Sequence, residues 1–96
     1  MSQIEVYIRR TIELAQQARE RGNHPFGALL VADARVVMEA ENTVVSENSP
    51  IHHAEMNLVE GAWRELPPEV IRRSTLYTST EPCPMCTGAI FWSGIR

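Results

Sequence analysis

One close-set group of side chains constrains this chain more than any other feature. Cys83 and Cys86 stand in Pro82-Cys83-Pro84-Met85-Cys86, and His53-Ala54-Glu55 lies upstream. At i and i+3 of a helical turn, two thiols share one face. Prolines suit the first turn of a helix, which places the pair at a helix N-terminus, where the dipole favours the thiolate that binds a metal. One imidazole added to two thiolates makes three ligands and leaves a fourth position open for water, the arrangement of a catalytic zinc site. Two residues apart on a regular helix is about 200°. His53 and Glu55 therefore face one metal only where a helix begins, and Asn48-Ser49-Pro50 supplies start signals just upstream. The fold has to bring two helix N-termini together, with Glu55 as a carboxylate placed to hold or move a proton.

Each of these residues also has a plainer reading. A Cys-x-x-Cys pair alone serves redox chemistry or a disulfide. His53 alone reads as a surface or capping histidine, His52 competes with it as a ligand, and Glu55 alone reads as a solvated helix carboxylate. A non-catalytic, closed zinc module would need a fourth ligand, for which His52 and His24 are the spare candidates. A metal-free oxidoreductase would leave His53 and Glu55 without a role.

The remaining chain supplies elements to carry such a site. Ser2 and Glu5 form a capping box before a first helix. Ile4, Tyr7, Ile8, Thr11, Ile12, Ala15 and Ala18 are expected on its inner face, and Gly22 is expected to end it. Phe26 to Val31 reads as a buried strand, Asp33-Ala34 as a turn and Val36 to Val45 as the returning strand. Ser46 to Pro50 is polar and turn-rich. A second helix is expected from Ile51 to about Trp63, broken by Leu66-Pro67-Pro68. Ser74 to Thr80 contains strand formers, and Pro82 to Trp92 reads as a third helix, apolar nearly all round. Trp63 and Trp92 are assigned to the core. The third helix and the open sheet edge call for further cover, so residues 1–96 are expected to be the N-terminal zinc-binding portion of a single domain, truncated after that helix.

Composition narrows the partners. With 44% hydrophobic and 22% charged residues the chain reads as globular. Nine Lys+Arg against twelve Asp+Glu give a net charge of −3, which offers no basic field for a phosphate backbone. No apolar run is long enough to cross a bilayer, and Met1-Ser2-Gln3-Ile4-Glu5 lacks a signal-peptide profile, so a cytoplasmic location is expected.

The conjunction of H-x-E with P-C-x-x-C marks the zinc deaminases, and here the chain resembles the cytidine deaminase-like superfamily. Gly22-Asn23-His24-Pro25-Phe26-Gly27-Ala28, His53-Ala54-Glu55, Glu81-Pro82-Cys83-Pro84-Met85-Cys86 and Gly88-Ala89-Ile90-Phe91-Trp92 are similar to segments of bacterial guanine deaminases and related nucleoside deaminases. The tRNA adenosine deaminases share the two metal motifs and rank second. The resemblance implies an α/β fold of three layers, α/β/α, around a mixed sheet. It implies Zn²⁺ held by His53, Cys83 and Cys86, with Glu55 as proton shuttle. It places Asn42, Phe26, His24 and the backbone around Ala54 and Glu81 at the substrate. The implied activity is hydrolytic deamination of a small purine or other nucleobase, guanine first, by a homodimer. A tRNA adenosine deaminase, or a non-catalytic zinc-binding fragment, is the alternative.

Overall fold

The computed structural model describes residues 2–96. Ser2 caps the first helix, α1 (Gln3–Glu20), by accepting a hydrogen bond from the Glu5 backbone N–H at 3.2 Å. Gly22, at φ +85°, leads the chain out of it. β1 (Gly27–Ala32) and β2 (Arg35–Glu41) form a hairpin whose turn residues, Asp33 and Ala34, both take positive φ. A four-residue helix, α2 (Val44–Glu47), follows. Then come α3 (Ala54–Glu65), α4 (Pro68–Arg72), β3 (Thr75–Thr78) and α5 (Pro84–Ser93).

The sheet order is β2-β1-β3, and β1 pairs antiparallel with both neighbours. β2 and β3 therefore run the same way on either side of β1. The three described strands are thus all paired antiparallel, and one rung of parallel type lies beside β3: the Arg96 N–H donates to Ser74 O, and Arg96 O accepts from the Leu76 N–H.

Every residue of β1 is buried, because helices cover both faces of the sheet. On one face Ala28 and Leu30 pack with Ala54, Leu58, Ala62, Ile71 and Ile95. On the other, Leu29 and Val31 pack with Tyr7 of α1 and Tyr77. This is the expected three-layer arrangement. α1 lies very close to β1: a Cβ at Gly27 would stand 2.5 Å from Thr11 O and 2.8 Å from Ala15 N. Only a glycine allows that approach.

Several local expectations are corrected. The buried stripe of α1 is Tyr7, Thr11, Leu14, Ala15 and Ala18, whereas Ile4, Ile8 and Ile12 are exposed. α1 meets β1 at Gly27 through Thr11, Leu14 and Ala15, and that approach sets the inward side. β2 stops at Glu41 rather than Val45, since Asn42 Oδ1 accepts from the Val44 N–H and turns the chain into α2. Leu66-Pro67-Pro68 ends α3 and also starts α4, with proline in its first turn. Trp63 and Trp92 are not core residues; they are 62% and 81% exposed. α3 turns Ala54, Leu58 and Ala62 inward, and Trp63 is one residue, about 100°, beyond Ala62. α5 buries Cys86 and Ser93, which leaves Trp92 on another side.

Candidate metal centre and active site

Two helix N-termini meet at the site. His53 is the N-cap of α3, with extended backbone (φ −66°, ψ 157°), and Cys83 is the N-cap of α5, also extended (φ −72°, ψ 169°). Neither side chain closes a capping hydrogen bond. The extended cap lifts His53 out of the spiral that Glu55 has already joined, so both reach the same place. Cys86, one turn into α5, is buried.

His53 Nδ1 lies 3.6 Å from Cys83 Sγ and 3.6 Å from Cys86 Sγ. Tetrahedral zinc, with bonds of about 2.3 Å to sulfur and 2.0–2.1 Å to nitrogen, requires an S···N separation of about 3.6 Å. The three side chains thus have the spacing that zinc requires, and one ligand atom from each lies within 4.8 Å of the others. Among the described residues no fourth ligand joins this group. His52 is engaged by Glu47, whose carboxylate contacts its Nδ1. Both cysteines are free thiols in different surroundings. The backbone N–H of Cys86, aided by that of Met85, holds the Cys83 thiol below its ordinary value, whereas burial pushes Cys86 up to about 12.

Glu55 is 6% exposed. Its Oε2 accepts a hydrogen bond from Thr78 Oγ1 at 3.1 Å, and its other oxygen makes none among the described residues. Beside it opens a pocket of about 170 Å³ lined by His24, Phe26, Asn42, His53, Glu55, Thr80, Glu81 and Cys83. Asn42 is almost fully buried; Val44 occupies its Oδ1, and its Nδ2 has no partner among the described residues. Phe26 and His24 also line the pocket. Ala54 differs from these three, because its side chain is wholly buried in the core against Leu58 and does not line the pocket. A larger, open groove of about 650 Å³ runs past Arg10, Glu39, Asn57 and Arg64, and neither sulfur borders it.

Sequence reasoning missed three residues. Thr78 binds Glu55 but reads in sequence only as a strand former. Asn23, nearly buried, accepts from the Val45 and Ser46 N–H groups through Oδ1 and so fixes α2. Asn57 donates to Glu41 O and Thr43 Oγ1, both at 2.9 Å, and lies 3.3 Å from His52 O, tying together the segments that carry Asn42 and His53.

The family model for the cytidine and deoxycytidylate deaminase zinc-binding region matches residues 1–96. The chain belongs to this family. It is 47% identical over 94 residues to the probable cytosine deaminase of Schizosaccharomyces pombe, covering 94% of this chain and 54% of that one. It is 38% identical over 96 residues to the tRNA-specific adenosine deaminase of Bacillus subtilis, covering all of this chain and 60% of that one. The crystal structure of Bacillus subtilis guanine deaminase superposes with a TM-score of 0.86 at 37% identity, over 96% of this chain and 59% of that one. The chain thus spans between half and two thirds of the length of these relatives. The family region is a zinc-binding one, and His53, Cys83 and Cys86 are the cluster here that can hold the metal. No described helix is long and apolar enough to cross a membrane.

Proposed function

We propose that this chain carries the active site of a zinc-dependent hydrolytic deaminase of small nucleobases, with guanine as the first substrate to test. The observation that carries the reading is the Glu55 carboxylate, buried beside the Cys83–Cys86–His53 triangle and opening onto the pocket. His53, Cys83 and Cys86 would hold the metal. When bound, zinc supplies an activated water as nucleophile. Glu55 takes up the two protons of that water in turn at its free oxygen, passing the first to a ring nitrogen and the second to the departing amine. For guanine, a C–O bond forms at C2, the exocyclic C–N bond breaks, and xanthine and ammonia leave. Phe26 and His24 wall the base, Asn42 Nδ2 donates to an acceptor on it, and Glu81 borders it. The acidic balance of the chain favours a free base over a tRNA loop. Cytosine is the second reading, favoured by the 47% identity to the Schizosaccharomyces pombe relative.

Ammonia release from guanine, cytosine, adenine and a tRNA anticodon stem-loop tests this. Guanine should react fastest and the stem-loop not at all; adenosine-to-inosine conversion in the stem-loop would overturn the substrate assignment. We also infer a homodimer. Trp63, Phe91 and Trp92 leave exposed the kind of apolar surface that marks an interface. Light scattering that returned a monomer mass would contradict it.

A further inference from the structure

We propose that Thr78 is a positioning residue, whose single hydroxyl proton fixes which oxygen of Glu55 faces the reaction. The inference rests on the deamination reading above for what Glu55 does. Three acceptors surround Thr78 Oγ1: Glu55 Oε2 at 3.1 Å, Thr80 O at 3.0 Å and Gly27 O at 3.4 Å. The hydroxyl has one proton to give. Gly27 O already accepts from the Ser79 N–H at 3.0 Å. The Thr78–Thr80 contact is exposed, so water can serve Thr80 O in the hydroxyl's place. Glu55 is the only charged acceptor of the three, and hydrogen bonds to charged groups are the stronger ones. The proton therefore goes to Glu55 Oε2.

The rest of the fold prevents Thr78 from moving. It pairs with Ala28 in the β1–β3 ladder, and Ser79 next to it brackets Gly27, donating to Gly27 O and accepting from the Gly27 N–H at 3.1 Å. Gly27 in turn is pinned by α1. No other hydrogen bond to the Glu55 side chain exists among the described residues. With Oε2 anchored, the carboxylate is held in one orientation, leaving its second oxygen for the pocket that Glu55 lines with His53 and Cys83. Without the anchor, Glu55 would sample orientations that do not meet the substrate. The chemical step would then suffer more than binding does.

The test compares Thr78→Val, which keeps the shape and removes the hydroxyl, with Thr78→Ser, which keeps the hydroxyl. Zinc content, steady-state ammonia release and the side-chain carboxyl ¹³C signal of Glu55 are read on the zinc-loaded protein. The Val variant should keep its zinc and its KM, lose about 10- to 100-fold in kcat, and shift the Glu55 signal. The Ser variant should restore both. A Val variant with wild-type kcat, one with an unmoved Glu55 signal, one that loses its zinc, or a Ser variant that restores nothing would each overturn the proposal. If the unmodified protein releases ammonia from no base, the deamination reading fails separately. The Glu55 signal then decides the Thr78 contact alone, and an unmoved signal in the Val variant overturns it.

Discussion

Gly27→Ala should destabilise the fold far more than one added methyl group suggests. The new Cβ would meet Thr11 O at 2.5 Å, Leu14 Cβ at 2.6 Å and Ala15 N at 2.8 Å. Two of these are backbone atoms, which no rotamer change can move. β1 cannot retreat either, because Gly27 is paired with Glu41 on one side and bracketed by Ser79 on the other. Relief therefore requires α1 to lift by roughly 1 Å across a packed layer, a cost of about 3 kcal/mol, the upper end for overpacking. For a domain of this size that lowers the melting temperature by about 12–24 °C. Gly88→Ala is the matched control. A Cβ at Gly88 meets nothing within 4 Å, and Gly88 lies inside α5, so alanine should stabilise by up to about 1 kcal/mol through helix propensity. Thermal unfolding followed by circular dichroism on the zinc-loaded proteins measures both. A Gly27→Ala protein that melts with the wild type would refute the close approach of α1 to β1.

Two further outcomes follow from the site. In chelated protein at neutral pH, iodoacetamide should alkylate Cys83 before Cys86, because helix-end N–H groups lower the Cys83 thiol while burial raises and shields Cys86; mass spectrometry showing the reverse order would contradict this. Asn42→Asp keeps an oxygen for the Val44 N–H but removes the unpartnered donor, so KM should rise by about 3- to 10-fold while the buried carboxylate lowers the melting temperature, and an unaltered KM would remove Asn42 from the substrate contacts.

What could be read in advance divides along physical lines. Signals confined to a few neighbouring residues were legible: the Ser2–Glu5 cap, the exit at Gly22 and the Asp33-Ala34 turn all stand where the sequence puts them. The His53, Cys83 and Cys86 grouping was legible because zinc chemistry restricts both residue type and spacing. Legibility failed where the outcome depends on a distant partner. Ile4, Ile8 and Ile12 make a convincing apolar stripe, yet α1 turns inward the side that meets Gly27 through Thr11, Leu14 and Ala15. Trp63 and Trp92 look like core by size, but the sheet takes the adjacent face of α3, and α5 packs against α3 with Trp92 on another side. Thr78, Asn23 and Asn57 act through contacts with residues remote in sequence and carry no local signature.

The central claim is that His53, Cys83 and Cys86 hold zinc while Glu55 handles protons beside it. Measuring zinc content and ammonia release together on Glu55→Gln tests it most directly. Glutamine keeps the size of the side chain and an oxygen for Thr78 but cannot take up a proton. The account predicts one zinc per chain, an unchanged fold and turnover reduced by at least about 10²–10⁴-fold, the usual worth of general acid–base catalysis. A variant that kept most of its rate, or that lost its zinc, would contradict it.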